Sequence, residues 1–469
     1  MYSYKYIFLP TALIIFIFTF DYFNNQKAES SELLTDKVVY VDDVFIHEKK
    51  DFSKCRVESW NNKTTWEIPR IAKLKLLTEH GVTKSEGLND GELRLISAFL
   101  YENEIVVTTS RQRTDKPQLG TPVFCRYFDC NRVEIPGSMY KSFFFPLTSV
   151  HCLRKAGASF ISLSLAENEQ PQVPIPFIHR LFKNPPNELG VCGGQIYGLD
   201  AKWMQIAEFV EHHKLIGANM FYFSVFEIDE MTRIVLNEYE RSGFAEVSMI
   251  NTEYTNAAMM RHMVQIHECF YRARQHSKWL LNIDHDEFLI PTKMPILKYI
   301  ESLGDKTAEL IFSMRRIAKF KESLENYNNI QEVSNDIQAI NYNLTHEPTY
   351  GSPKVMVRPD KVDAILLHWS YGLEPGYKTI VVPKNVAFLN HYRTISPKFL
   401  WSNFIETLIK QKTKFIHVTL REKYVEKLRE NVIQILGYVF EKHNVTCDNI
   451  PISLQRSTKP YLVKSGICK

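Results

Sequence analysis

From Val191 onward the chain alternates short apolar runs with segments whose apolar positions recur every three to four residues. Val191–Tyr197 reads as a strand. Asp200 then precedes a helix with Trp203, Ile206, Phe209 and Val210 on one face, ending near Gly217. Met220–Val225 is an aromatic strand, Glu230–Arg241 a helix stopped by Gly243, and Ala245–Ile250 another strand. A long helix over Ala257–His276 runs directly into the apolar run Trp279–Ile283. Strands and helices that alternate with short connections imply right-handed crossovers. The predicted class is α/β, a mostly parallel sheet with helices on both faces. Lys354–Arg358 and Ala364–His368 read as further strands, and Asn326–Thr349 is polar and poorly patterned. Two helices follow, over Pro397–Gln411 and Leu420–His443. The second carries Tyr424, Leu428, Val432, Ile435, Leu436 and Val439 along one side.

The first half has the other period. Lys37–His47 is extended, and Glu92–Arg111 alternates through Leu95, Ile96, Phe99, Ile105 and Val107 before a turn-rich stretch from Thr114 to Pro136. This predicts a small β-rich module over 37–185, a structural appendage without catalytic residues. At the start of the chain, Ile7–Phe20 is apolar, follows Lys5 and is flanked by tyrosines. It reads as a transmembrane signal anchor (7–23) between a short cytoplasmic tail (1–6) and a lumenal stem (24–36). A cleaved signal peptide, with Ala28-Glu29-Ser30 as the cleavage site, is the competing reading. The α/β domain spans 186–445, and 446–469 is a C-terminal tail.

Composition narrows the classes. The 57 Lys and Arg against 53 Asp and Glu, a net charge of +4, provide no dense basic face, so no nucleic-acid partner is expected. All 8 cysteines follow the apolar segment and none forms a CxxC pair, which favours disulfides over zinc. Asn62, Asn343 and Asn444 begin glycosylation sequons. Anchor, cysteines and sequons agree on a single-pass type II protein of the secretory pathway, or else a secreted one.

The candidate chemistry sits in WLLNIDHDEFLIP, Trp279–Pro291. Asp284, Asp286 and Glu287 crowd the end of a buried strand, where negative charge is costly without a cation. Oxygen ligands suit a hard divalent ion, Mn²⁺ or Mg²⁺. Ligands in parallel sheets bind at the carboxyl ends of strands, which is where the triplet falls. His368 and His391 follow strands in the same domain.

In this order, several residues resemble glycosyltransferase family 92. They are the Val191-Cys192 strand, Trp203, Glu208 with Glu211-His212-His213-Lys214-Leu215-Ile216-Gly217, and Asp284-x-Asp286-Glu287-Phe288. Lys354 with Val357-Arg358-Pro359 and His391-Tyr392-Arg393 complete the set. The chain departs from the pattern at Cys192-Gly193-Gly194-Gln195, where such enzymes carry a more apolar or proline-containing segment. The resemblance implies a GT-A-type (Rossmann-like) fold and inverting transfer of galactose from UDP-galactose, a nucleotide-sugar donor, to a glycan acceptor. It implies Asp286, Asp284 and His391 as metal ligands, Asp284 and Glu287 on the donor, and Lys354, Arg358 and Arg393 on its phosphates. An inverting reaction needs a base, and Glu347, Asp360, Asp363 and Glu374 are eligible. The alternatives are a non-catalytic lumenal glycan-binding or partner protein that retains the fold, and a D-x-D phosphohydrolase. The second is disfavoured by Glu287-Phe288 after the second Asp.

Overall fold

Seven strands built from the alternating first half form one sheet. They are β1 (Leu93–Leu100), β2 (Glu104–Arg111), β3 (Pro122–Phe128), β4 (Tyr140–Phe143), β5 (Ser149–Leu153), β6 (Phe160–Ser164) and β7 (Ile175–His179), in the order β4-β3-β6-β7-β1-β2-β5. The computed structural model describes residues 93–111, 122–250, 258–394, 410 and 412–442. All of these fall in one compact unit of the chain, Val44–Lys469. A bridge between Phe144 and Val150 joins the two edges of the sheet, and the Cys125–Cys152 disulfide links β3 to β5. Leu100, Ile105, Val107, Tyr127 and Phe144 fill the interior.

After this sheet the alternation takes over: β8 (Asn187–Ile196), α1 (Trp203–Leu215), β9 (Met220–Val225), α2 (Glu230–Arg241), β10 (Ala245–Met249), α3 (Ala258–Ala273) and β11 (Ser277–Asn282). The remainder is β12 (Glu287–Pro291), α4 (Ile296–Ser302), β13 (Thr307–Lys319), α5 (Ile330–Asn335), α6 (Gln338–Asn341), β14 (Leu344–His346) and β15 (Thr349–Val357). It continues through β16 (Val362–Ile365), β17 (Ser370–Leu373), β18 (Lys378–Val381), β19 (Ala387–Thr394), β20 (Phe415–His417) and α7 (Glu422–Gly437). Nine of the strands make a mixed sheet in the order β10-β9-β8-β11-β15-β13-β19-β12, with β18 also on β13. The βαβ half, β10 to β11, is parallel as expected, but β15 and β12 run antiparallel to their neighbours. The 13-residue β13 explains how the second half closes. Its first part pairs with β18 and its last part, from Met314, pairs with β19 on the same edge.

Side chains alternate between two cores, as strand geometry requires. Phe221, Phe223 and Leu281 pack with α1, α2 and α7 on one face. Tyr222, Leu280 and Cys192 pack with α3 on the other, together with Phe99, Tyr101 and Val106 of the first sheet. Helix α3 is fixed twice. The Cys192–Cys269 disulfide ties it to β8, and Glu268 accepts from Ser97 Oγ (2.7 Å), Thr108 Oγ1, Ser248 Oγ (3.0 Å) and Arg272 (2.7 Å). Glu104 adds an ion pair to Arg274 at 2.6 Å and a contact with His151 at 2.7 Å.

Local expectations fared unevenly. The strand and helix placements from β8 to β11 agree with the sequence reading, and Lys37–His47, expected to be extended, lies outside the described residues. Asp200, however, does not cap α1: Lys202 holds the N-cap position without a side-chain bond, and Asp200 instead pairs with Lys202 Nζ at 2.7 Å. Gly217 does end α1, in a left-handed conformation at φ +105°. The polar stretch Asn326–Thr349 holds α5, α6 and β14, pinned by Glu208, which accepts from Gln338 N (3.0 Å) and Ala339 N (2.7 Å). Residues 1–36, Asn62, Asn444, the tail 446–469 and the helix predicted at Pro397 lie outside the described residues. Among the described residues no helix is long and apolar enough to cross a membrane.

Candidate active site

The acidic triplet stands where β11 ends. Asp284 Oδ2 pairs with Lys354 Nζ at 2.8 Å and Asp284 Oδ1 with His262 Nε2 at 3.2 Å. Its backbone N–H donates to Glu287 Oε2 at 2.9 Å. Gly194 explains the glycine-rich departure in β8. It adopts φ +70°, and a Cβ there would lie 2.7 Å from Asp284 Oδ1, so only glycine lets the β8 backbone come this close. Burial would raise the Asp284 carboxyl, but Lys354 and His262 hold it well below the usual range.

Two residues on, Asp286 meets the far half of the sheet. β12 and β19 pair antiparallel with Glu287 opposite His391, and Tyr392 N donates to Asp286 O at 2.9 Å. His391 Nε2 lies 3.3 Å from Asp286 Oδ2. Arg393 Nε donates to His391 Nε2 at 2.8 Å and sits 3.2 Å from Asp286 Oδ2. Nε2 is therefore the accepting nitrogen, and Nδ1 faces Glu287 Oε1 at 3.6 Å. Against the opposing effect of burial, His391 and Arg393 depress the Asp286 carboxyl. For Glu287 burial wins and its carboxyl is raised, although Lys354 Nζ lies 3.1 Å away.

Asp286, Glu287 and His391 place their ligand atoms within 4.8 Å of one another. The grouping differs from the expected set. Glu287, assigned to the donor, joins the cluster, whereas Asp284, expected as a ligand, is held by Lys354 and His262. A divalent ion fits the group on two counts. Two carboxylates and an imidazole make a usable donor set for such an ion. Asp286 Oδ1 is also buried without a hydrogen-bond partner among the described residues, an atom that costs stability unless something fills its lone pairs.

Other expected residues scatter. Lys354, only 3% exposed, lies as an internal counter-ion between Asp284 and Glu287. Arg358 is at the wrong end of β15. Its guanidinium donates to Asp305 O at 3.0 Å and faces Asp360 at 3.7 Å, four residues or about 13 Å down the strand from Lys354. Arg393, with 43% of its side chain exposed, does lie at the cluster. Of the base candidates, Asp360 and Glu374 lie with Arg358 and Lys361 at that far end. Asp363 is fully buried on β16 beside Gly372. Glu347 is exposed next to His346, whose Nε2 accepts from the Arg316 backbone, and Arg316 pairs with His391. His368 Nδ1 contacts Pro353 O at 2.9 Å, at the cluster's end of β15.

His262 was missed. A usable signal exists: in a βαβ crossover the helix runs back from the carboxyl ends of the strands, so its first turns overlook the site. His262 is in those first turns of α3.

The glycosyltransferase family 92 model matches residues 187–436, over half the chain. The chain belongs to glycosyltransferase family 92. It is therefore a glycosyltransferase, and family 92's Glu-His-His-Lys run proves to be scaffold. His212 Nε2 donates to Leu289 O at 2.8 Å and Nδ1 accepts from Tyr424. His213 Nδ1 donates to Phe209 O at 2.8 Å, and Leu289 N donates to His213 Nε2 at 3.4 Å. Both rings hold β12, and thus Glu287, against α1. Among solved structures, a mycobacterial protein is similar at 11% identity and TM-score 0.24, over 54% of this chain and 75% of that one. S. aureus TarS is similar at 12% and TM-score 0.27, over 58% of this chain and 47% of that one. Its 1–349 form gives 12% and TM-score 0.25, over 58% and 77%. At such distance none of them bears on the reaction. No curated protein matches the chain.

Proposed function

We propose that this glycosyltransferase moves galactose from UDP-galactose to a glycan acceptor, with inversion, in a metal-dependent reaction of the secretory pathway. The observation that carries this reading is the Asp286–Glu287–His391 cluster at the strand ends, with the unpartnered Asp286 Oδ1 inside it. A Mn²⁺ or Mg²⁺ ion held by these three residues would supply Lewis acidity toward the departing diphosphate. The chain's own groups do the rest. Arg393 is the exposed cation beside the cluster and balances phosphate charge as the anomeric bond breaks. Lys354 keeps Asp284 ionised and holds Glu287 in place. His262 orients Asp284 from the other side. The N-terminal apolar segment anchors the protein as a type II Golgi enzyme, and Asn343, whose Oδ1 accepts from His417 at 2.9 Å, carries a glycan.

The test is galactose transfer from UDP-galactose to a mixture of released N-glycans, with Mn²⁺, with Mg²⁺ and with excess chelator. Transfer that needs the metal supports the reading. Transfer undiminished in chelator removes the metal from it, and transfer from a different nucleotide sugar only removes galactose.

A further inference from the structure

The loop between β16 and β17 brings His368 and Trp369 to the site end of the sheet. β11 and β15 are antiparallel with Asn282 opposite Val355. Two residues beyond that pair, one strand reaches Asp284 and the other Pro353. The Pro353 carbonyl can only accept, so His368 Nδ1 donates to it at 2.9 Å and carries the ring proton. That leaves Nε2 with a lone pair and, among the described residues, without a partner. Beside it Trp369 is 53% exposed, its ring 6.2 Å from the imidazole, and its backbone carbonyl accepts from Leu366 N at 2.8 Å to close the loop.

We propose that an acceptor sugar docks on the indole face of Trp369 and that His368 Nε2 takes the proton of its attacking hydroxyl. This rests on the transferase reading above and names the base in place of the four carboxylates. An exposed indole presents an apolar face to the C–H side of a pyranose and leaves its hydroxyls to neighbouring polar groups. The step balances. The acceptor O–H proton passes to Nε2, the acceptor oxygen bonds the anomeric carbon, and the bond from that carbon to the diphosphate breaks with its electron pair on the leaving nucleotide. The charges acting on the ring are Lys354, Asp284 and His262, and burial, the largest influence, lowers its pKa so that the ring is neutral and able to accept.

The experiment uses the full chain, UDP-galactose and a mixture of released N-glycans. His368→Asn keeps a donor for Pro353 and removes the base. Transfer is expected to fall about 100-fold to 10,000-fold while UDP affinity stays within about threefold. Trp369→Ala, a surface change that leaves the core intact, is expected to raise the acceptor KM about tenfold with the donor KM unchanged. Transfer by His368→Asn within about threefold of wild type overturns the base. An acceptor KM unmoved in Trp369→Ala overturns the platform, and loss of transfer in Glu347→Gln alone moves the base to Glu347. Wild type that neither binds UDP nor transfers from UDP-galactose sinks the proposed donor, a failure separate from these.

Discussion

Helix α1 and the end of β11 are both dense in ionisable side chains, and the contrast between them separates scaffold from chemistry. In α1, His212 and His213 are enclosed, and burial pulls both below their usual value, His212 to about 4. Each ring spends its nitrogens on the backbone of β12 or its own helix and on Tyr424, so neither has a proton to exchange near neutral pH. At the strand end the opposite solution holds. Lys354, His391 and Arg393 keep Asp284 and Asp286 ionised despite burial, one carboxylate oxygen has no partner among the described residues, and an arginine stands half-exposed beside it. Charge held ready and incompletely satisfied marks a binding site, whereas charge suppressed and satisfied marks packing. Family-typical residues occur in both places, so the motif alone does not make the distinction.

The largest effect that sharpens this comparison is expected from Asp286→Asn. It preserves shape but removes charge from the cluster, and turnover should drop about 100-fold to 1000-fold, or about 3–4 kcal/mol. The melting temperature should hardly change. Transfer assays run beside thermal melts check both, and an active Asp286→Asn enzyme would break the contrast. His212→Ala should do the reverse. Losing two buried hydrogen bonds and a ring that packs 4.8 Å from Phe288 should cost about 3 kcal/mol of stability, measured by denaturant titration, with residual folded enzyme still turning over.

Acid separates the two regions more gently. Unfolded His212 binds a proton below about 6.5 and the folded ring only below about 4. Its contribution is therefore complete above pH 6.5 and is lost as pH falls toward 4, by about 3 kcal/mol. The depressed Asp284 and Asp286 lose theirs only below the usual carboxylate range, so they are silent in that window. Stability curves of wild type and His212→Gln from pH 7 to 4 should show a shallower slope for the variant. The smallest effect is expected from Arg358→Ala. Placed at the far end of β15, it should leave the donor KM within about twofold, a cost under about 0.5 kcal/mol. A large loss would restore Arg358 to the donor site.

Local periodicity is written in the chain itself, and for that reason the strands and helices from β8 to β11, the acidic strand end and the candidate His391 were all legible. Lys354 and Arg358 show the limit. They share one strand and one motif, and only the register of β15 against β11 decides which reaches Asp284. The same holds for the exchange of Asp284 for Glu287 in the cluster. It depends on β12 turning back beside β19, a pairing between residues about a hundred positions apart.

What the sequence by itself determined is everything governed by neighbours three or four positions away: helix faces, strand runs, glycine stops and a crowd of carboxylates that needs a cation. What only the tertiary structure decided is which charges meet. β13 is long enough to hold β18 and β19 on one edge, bringing His391 and Arg393 to Asp286, and α3 runs back over the strand ends to bring His262 to Asp284. An ion pair's energy falls with distance through space, not along the chain, so its partners become readable only once the sheet has closed.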